Sequence, residues 1–410
     1  MTRTWLILSA LVIGLSLGIG SVRFGPVDLT GILAFADGLG GVWLDALRMT
    51  IIPLVVSLLI TGIAKTFDSA RGDRVALRSV VMFISLLWLS TALAAVLIPM
   101  LLTAWPMPET AAKALAASLG QSQAGPIPAP GIIDFLRSIV PTNPVAAAAN
   151  DALLSLILFT AVFALALARL PEEQREPMVR FFETIGNAML VVVGWVLKAA
   201  PLGVLALAYA VGARAGTSAI GALVHYVLIV SSAGLAAWLL AYPLATFGGK
   251  VRLTAFARAV LPAQAVALST QSSLASLPTM LSATAELGIK SGIARVSMPI
   301  AVAIFRVTSP AMNLAVAIYV AHWMGIELSP SALFAGAAVA AITTIGSVSL
   351  PGQVSFLTSI TPICVAMGVP IEPLALLVAV EMIPDLVRTV GNVTMDVAAT
   401  SVISRLEEKQ

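Results

Sequence analysis

Long apolar blocks succeed one another along this chain, and their lengths set the first expectation. Blocks at about 4–22, 42–64 and 76–103 are each long enough to cross a bilayer as a helix, which takes about 20 residues. A fourth region, 131–169, is broken by Pro141-Thr142-Asn143-Pro144, and further blocks follow at 182–211 and 218–246. After residue 250 the pattern changes. The stretch 254–287 is interrupted at its middle by a run from Ser269 through Ser272 and Ser273 to Pro278, and 330–366 is interrupted by Gly346-Ser347-Val348-Ser349-Leu350-Pro351-Gly352. Each arm of the first is about 15 residues, short of a span, so two re-entrant helical hairpins are predicted. Two proline-kinked ordinary helices are the alternative. Non-helical backbone at membrane depth survives only where it is buried in protein or lines a cavity, and paired interrupted segments point to a transporter's binding site. Both tips contain Ser-Leu-Pro, a hint of an internal repeat.

Two polar features interrupt the remaining blocks. Arg306 stands in the middle of a block at 293–324, with Thr308, Ser309 and Pro310 close behind. A mid-span arginine costs about 2.5 to 3.5 kcal/mol even on the lenient insertion scale, so an acid should face it. The last block, 374–403, contains EMIPDLVRTVGNVTMD, in which Glu381, Asp385, Arg388, Asn392 and Asp396 fall within an arc of about 80° if the segment is one helix. Such a stripe is about 22 Å long, most of the thickness of the hydrocarbon core. Ionisable groups at that depth face the protein interior or a wet cavity and mark a substrate or ion path. A purely structural Asp385–Arg388 pair leaves the further acids at both ends unexplained.

Composition turns these blocks into a class. Hydrophobic residues make up 59% of the 410 and charged residues 10%, which identifies an all-α polytopic membrane protein. The net charge of +3 is small, and Lys and Arg sit in short clusters around residues 65–78, 169–180 and 250–258, with no basic face for nucleic acid. The clusters mark cytoplasmic loops and place both termini inside, and the stretch from Trp105 to Pro130 then lies outside. The apolar N-terminus resembles a signal peptide but lacks a cleavage pattern, and reads as the first spanning helix. A single cysteine, Cys364, and two histidines far apart in sequence, His225 and His322, suggest neither a metal site nor a cofactor. An aspartyl protease dyad is excluded because Asp385 and Asp396 would lie about 16 Å apart on one helix. A serine hydrolase lacks a histidine close in sequence to Ser272 or Ser273. A channel or transport-dead sensor is the remaining alternative.

The order hairpin, span, hairpin and polar stripe resembles the glutamate/aspartate transporter family, the dicarboxylate/amino acid:cation symporters. The resemblance rests on Asp385-x-x-Arg388-Thr389-x-x-Asn392-Val393-Thr394-x-Asp396, on Ser272-Ser273 with Leu277-Pro278, on Leu350-Pro351-Gly352, and on Val140 to Pro144. It implies eight transmembrane helices plus two re-entrant hairpins in an elevator-type homotrimer in the inner (plasma) membrane. Scaffold helices 1 and 2 would occupy 1–75, helix 3 of the transport core 76–104, an extracellular loop 105–130, and scaffold helices 4 and 5 131–214. Helix 6 would take 215–250, hairpin 1 251–290, helix 7 291–325, hairpin 2 326–370, and helix 8 with a cytoplasmic tail 371–410.

By the family's pattern Asp385 receives the substrate's ammonium and Arg388 its side-chain carboxylate. Asn392 and the hairpin serines Ser272 and Ser273 receive its α-carboxylate, and Ser309, Ser349, Leu350, Pro351, Gly352 and Thr389 complete the pocket. Guanidinium reads a carboxylate bidentately and Asp accepts from an ammonium, which fits aspartate or glutamate better than a plain C4-dicarboxylate. The chain departs from the sodium-coupled pattern. Where those relatives carry Asn-Met-Asp-Gly-Thr it has Phe305-Arg306-Val307-Thr308-Ser309, and Leu87 replaces a tyrosine. Arg306 is therefore expected to replace a bound cation, with Asp396 as its partner. Glu381, Asp385 and Asp396 against Arg306 and Arg388 leave an excess negative charge, so protons are the expected coupling ion, with Glu381 the first candidate carrier and Asp385 the second. A sodium-coupled symporter and an uncoupled dicarboxylate carrier are the alternatives.

Overall fold

The computed structural model describes residues 2–23, 29–70, 74–107, 140–150, 153–216, 218–346 and 352–408, and among them regular structure is entirely helical. Helices α1 (Thr2–Arg23), α2 (Thr30–Arg48), α3 (Ile51–Ala70) and α4 (Arg74–Ala104) open the chain. The expected block 42–64 is thus two helices. Pro53 has no N–H for the Met49 carbonyl, and its ring would clash there, so the chain turns at 49–50. Asn143 caps α5 (Pro144–Ala149), its side-chain oxygen accepting from the Val145 and Ala146 amides. The break expected at Pro141 to Pro144 therefore exists. Next come α6 (Leu153–Leu167), α7 (Glu172–Lys198) and α8 (Ala200–Ala215). The block 182–211 is also divided, because Pro201 at the start of α8 cannot continue the α7 ladder.

Helix α9 (Ser218–Leu239) runs on through a turn at Ala241–Pro243 into a π-helical turn at Leu244–Gly248. The first expected hairpin is α10 (Leu253–Thr270) and α11 (Ser273–Glu286), packed on each other. Gln271 takes the left-handed conformation and the Ser272 hydroxyl caps α11 by accepting from the Ala275 amide. The first arm has 18 residues, more than expected, and meets on length and apolarity the requirement for crossing a membrane. In the second pair, α14 (Pro330–Gly346) and α15 (Gly352–Ala366) pack together; Ser349, Leu350 and Pro351 at its tip lie outside the described residues.

The expected span 293–324 is divided into α12 (Ser291–Ile304) and α13 (Thr308–Trp323), with Phe305 extended between them. Pro310 is the cause: it offers no N–H to the Arg306 carbonyl, so the helix cannot run through Arg306. After a short α16 (Leu374–Leu377), the last helix α17 covers Met382–Glu408. The polar stripe is therefore not wholly helical. Pro384 denies a bond to the Val380 carbonyl, and Glu381 sits just before the helix with its own carbonyl accepting from the Asp385 amide.

Helix α17 is the centre of one packed group, in contact with α4, α9, α10, α11, α12 and α13. A second group joins α1 and α2 to α8, and α3 to α6 and α7. There α1 and α8 approach closely through small residues, since a Cβ on Gly14 would lie 2.6 Å from the Leu205 carbonyl oxygen and one on Gly212 2.6 Å from that of Leu15. Five helical stretches among the described residues are long and apolar enough to cross a membrane: Arg74–Ala104, Glu172–Lys198, Ile220–Gly248, Leu253–Thr270 and Ser291–Trp323.

Candidate functional site

Where α12 gives way to α13, the backbone is held by the last helix. Asn392, buried at 2% exposure, accepts at Oδ1 from the Thr308 amide at 3.0 Å and lies 2.7 Å from the Thr308 hydroxyl, which is also 2.8 Å from the Arg388 carbonyl oxygen. Broken backbone at this depth needs such partners. Gly391 makes the approach possible, because a Cβ there would stand 2.5 Å from Thr308 Cγ2 and 2.9 Å from Trp238 Cβ.

One turn earlier on α17, the Arg388 guanidinium is buried among acids. Its Nη1 stands 2.5 Å from Glu381 Oε1 and donates to Asp385 Oδ1 at 2.9 Å, and Nη2 donates to Asn313 Oδ1 at 3.4 Å. Glu381 is 2% exposed, and its other oxygen accepts from the Tyr226 hydroxyl at 3.3 Å. Glu381, expected as the first candidate proton carrier, is thus ion-paired in this structure, because the turn before Pro384 points it at the same guanidinium as Asp385. Thr389 donates to the Asp385 carbonyl at 2.9 Å, and Ser309, also buried, has an Oγ with no hydrogen-bond partner among the described residues. Ser273 is buried behind the capping Ser272, and Gly352 begins α15.

Asp396 and Arg306 act on each other through their charges without being joined. Asp396 is completely buried, neither of its carboxylate oxygens has a hydrogen-bond partner among the described residues, and the positive charge of Arg306 acts on it. Arg306 at the helix break feels Asp385 and Asp396 as attractive charges and Arg388 as a repulsive one. A direct Arg306–Asp396 bond is not formed among the described residues. Next to Arg306, Phe305 stacks on Phe83 of α4 with ring centroids 4.4 Å apart, and Val307 and Leu87 are buried at 1%. Tyr226, Asn313 and the clamp between Thr308 and Asn392 were not singled out by the sequence pattern. An amide within the apolar run Pro310–Ile318 of α13 was the available signal for Asn313.

A family profile described as the Sodium:dicarboxylate symporter family matches residues 4–406. The chain belongs to this family. Its relatives include the proton/glutamate-aspartate symporter of Escherichia coli (strain K12), 28% identical over 99% of this chain and 93% of that protein. The proton/sodium-glutamate symport protein of Bacillus subtilis is 28% identical, covering 96% and 91%, and the C4-dicarboxylate transport protein of Rhodospirillum rubrum 27%, covering 98% and 87%. The family's members are membrane transporters rather than enzymes, so this buried polar cluster belongs to a symporter chain.

Proposed function

We propose that the protein carries acidic amino acids, aspartate or glutamate, across the membrane together with protons and without sodium. The observation that carries the substrate class is the buried Arg388 held between Glu381 and Asp385. A distal carboxylate of the substrate takes the guanidinium bidentately and displaces Glu381. Asp385 then needs a new cation, which an amino acid's ammonium supplies and a plain dicarboxylate does not. Asn392 already spends its side-chain oxygen on Thr308, which leaves its NH2 as the donor for the α-carboxylate, together with the amides at the Ser272–Ser273 tip.

Sodium independence is supported by what surrounds Arg306. Hard cations take several oxygen ligands, and the Phe305 ring on Phe83, with Val307 and Leu87, presents hydrocarbon where the sodium-coupled pattern has oxygens. Arg306 supplies a fixed positive charge facing Asp396 in the place of a bound ion. Protons follow from the displacement: Glu381, separated from Arg388 by the incoming substrate, is left as a buried acid without a cation and takes up a proton. Ser309, Thr389 and the second hairpin tip at Ser349, Leu350, Pro351 and Gly352 close the pocket over the substrate. The group around α17, with both hairpins, moves as an elevator against a scaffold formed by residues 1–75 and 131–214 in a homotrimer, with both termini cytoplasmic. Liposomes containing the purified protein test the reading. Labelled aspartate accumulates when the outside is made acidic with no sodium present, and excess aspartate competes it away whereas succinate does not. Accumulation that requires sodium overturns it.

A further inference from the structure

The hydroxyl on Glu381 belongs to a residue that the transport reading does not use. Tyr226 of α9 is fully buried and donates to Glu381 Oε2 at 3.3 Å, while Glu381 Oε1 faces Arg388. Its ring is held in turn by Tyr319 of α13, in a T-shaped contact with centroids 5.3 Å apart and planes at 71°. Tyr319 is itself fixed from two sides. Its hydroxyl lies 3.0 Å from the Ala222 carbonyl oxygen and 3.0 Å from Nδ1 of His225. His225, buried at 4%, lies with its Nε2 2.9 Å from the Trp105 carbonyl oxygen, which only accepts, so Nε2 carries a hydrogen. The Tyr319 hydroxyl then serves His225 in the neutral ring or Ala222 when the ring is charged, and no heavy atom need move between the two states.

We propose that Tyr226 is a positioning residue for proton coupling: it keeps Glu381 ionised and aimed at Arg388 until substrate arrives, with Tyr319 and His225 as the layer that fixes its ring. This rests on the proton-coupled reading above and adds the group that sets the pH at which coupling works. A hydroxyl hydrogen given to a carboxylate favours the charged form. The other groups facing Glu381 are Arg388 and Asp385 from its own segment, and Asn313 of α13 reaches it only through Arg388. The groups near His225 are Tyr319 and the exposed His322, both on α13.

Tyr226→Phe removes the donor and keeps the ring on Tyr319. Initial aspartate uptake into liposomes would be measured across external pH, alongside exchange of labelled for unlabelled aspartate at one acidic pH on both sides, where no net proton movement is needed. The expected result is a pH profile displaced by about one unit to higher pH, an approximately tenfold lower proton concentration at half-maximal uptake, with acidic exchange retained. In a Glu381→Gln background the same substitution leaves the pH profile unchanged, because the group it acts through is gone. A wild-type protein that responds to pH and a Tyr226→Phe profile that coincides with it overturn the assignment alone. So does a shift of equal size in the Glu381→Gln background. A wild-type protein whose uptake ignores pH overturns the proton-coupled reading and the role of Tyr226 with it.

Discussion

With buried Glu381 on one side and partly exposed Asp385 on the other, the Arg388 guanidinium is paired with both carboxylates, so replacing it by a neutral side chain removes both the substrate's anchor and the cation they share. Arg388→Gln is expected to weaken aspartate binding by at least about 2 kcal/mol, roughly thirtyfold, the lower end for breaking a buried charge pair. Titration calorimetry or a competition assay with aspartate and a neutral amino acid checks it. Unchanged aspartate affinity would remove Arg388 from the pocket. Asp396 poses the opposite problem, a carboxylate with no hydrogen bond among the described residues, on which the charge of Arg306 acts. Arg306→Met should lower transport and thermal stability, and adding Asp396→Asn should restore part of both. Residues acting on each other give non-additive effects, so additive losses in the double variant would show that the two do not interact.

At the level of elements, prolines decide where helices stop and glycine decides how near they come. Pro310 ends the helix ladder at Arg306, and the freed backbone at Thr308 is taken up by Asn392 across a contact that tolerates no Cβ at position 391. Gly391→Val is therefore expected to push α17 away from Thr308 and abolish transport by more than about tenfold, since a displacement of 1 Å in a positioning group is enough for such a loss. Uptake and melting temperature measured together check this. A variant with normal uptake would show that the clamp is not needed.

The whole molecule sets the balance of charge. The two arginines at the site face three acids, and the substrate adds one more negative charge than its ammonium offsets, so the loaded site stands at −2 and uptake of a proton moves it toward the neutrality that an occluded, dry state favours. Each pH unit across the membrane then contributes about 1.4 kcal/mol per proton, a concentration ratio of about ten. Aspartate gradients in sodium-free liposomes should scale with the imposed pH step. Uptake that only equilibrates under that step would mark an uncoupled carrier.

Much of this was legible in the chain alone, and the reason is local. Apolar block length, the interrupted segments around Ser272 and Ser349, and the motif from Asp385 to Asp396 depend on neighbours in sequence, so they identify a membrane transporter and its family without coordinates. Proline positions also foretold breaks, although block hydropathy averaged over those at Pro53, Pro201 and Pro310 and made single spans of them. What the sequence could not specify were pairings across elements. Glu381 reaching Arg388 depends on the turn before Pro384, Tyr226 meeting Glu381 depends on α9 packing along α17, and the charge of Arg306 acting on Asp396 depends on the helix break at Phe305 packing against α17. Residue type determined which groups could carry charge here. Only packing of distant segments decided which charges share a site, because interactions this short-ranged are set by three-dimensional distance and not by position along the chain.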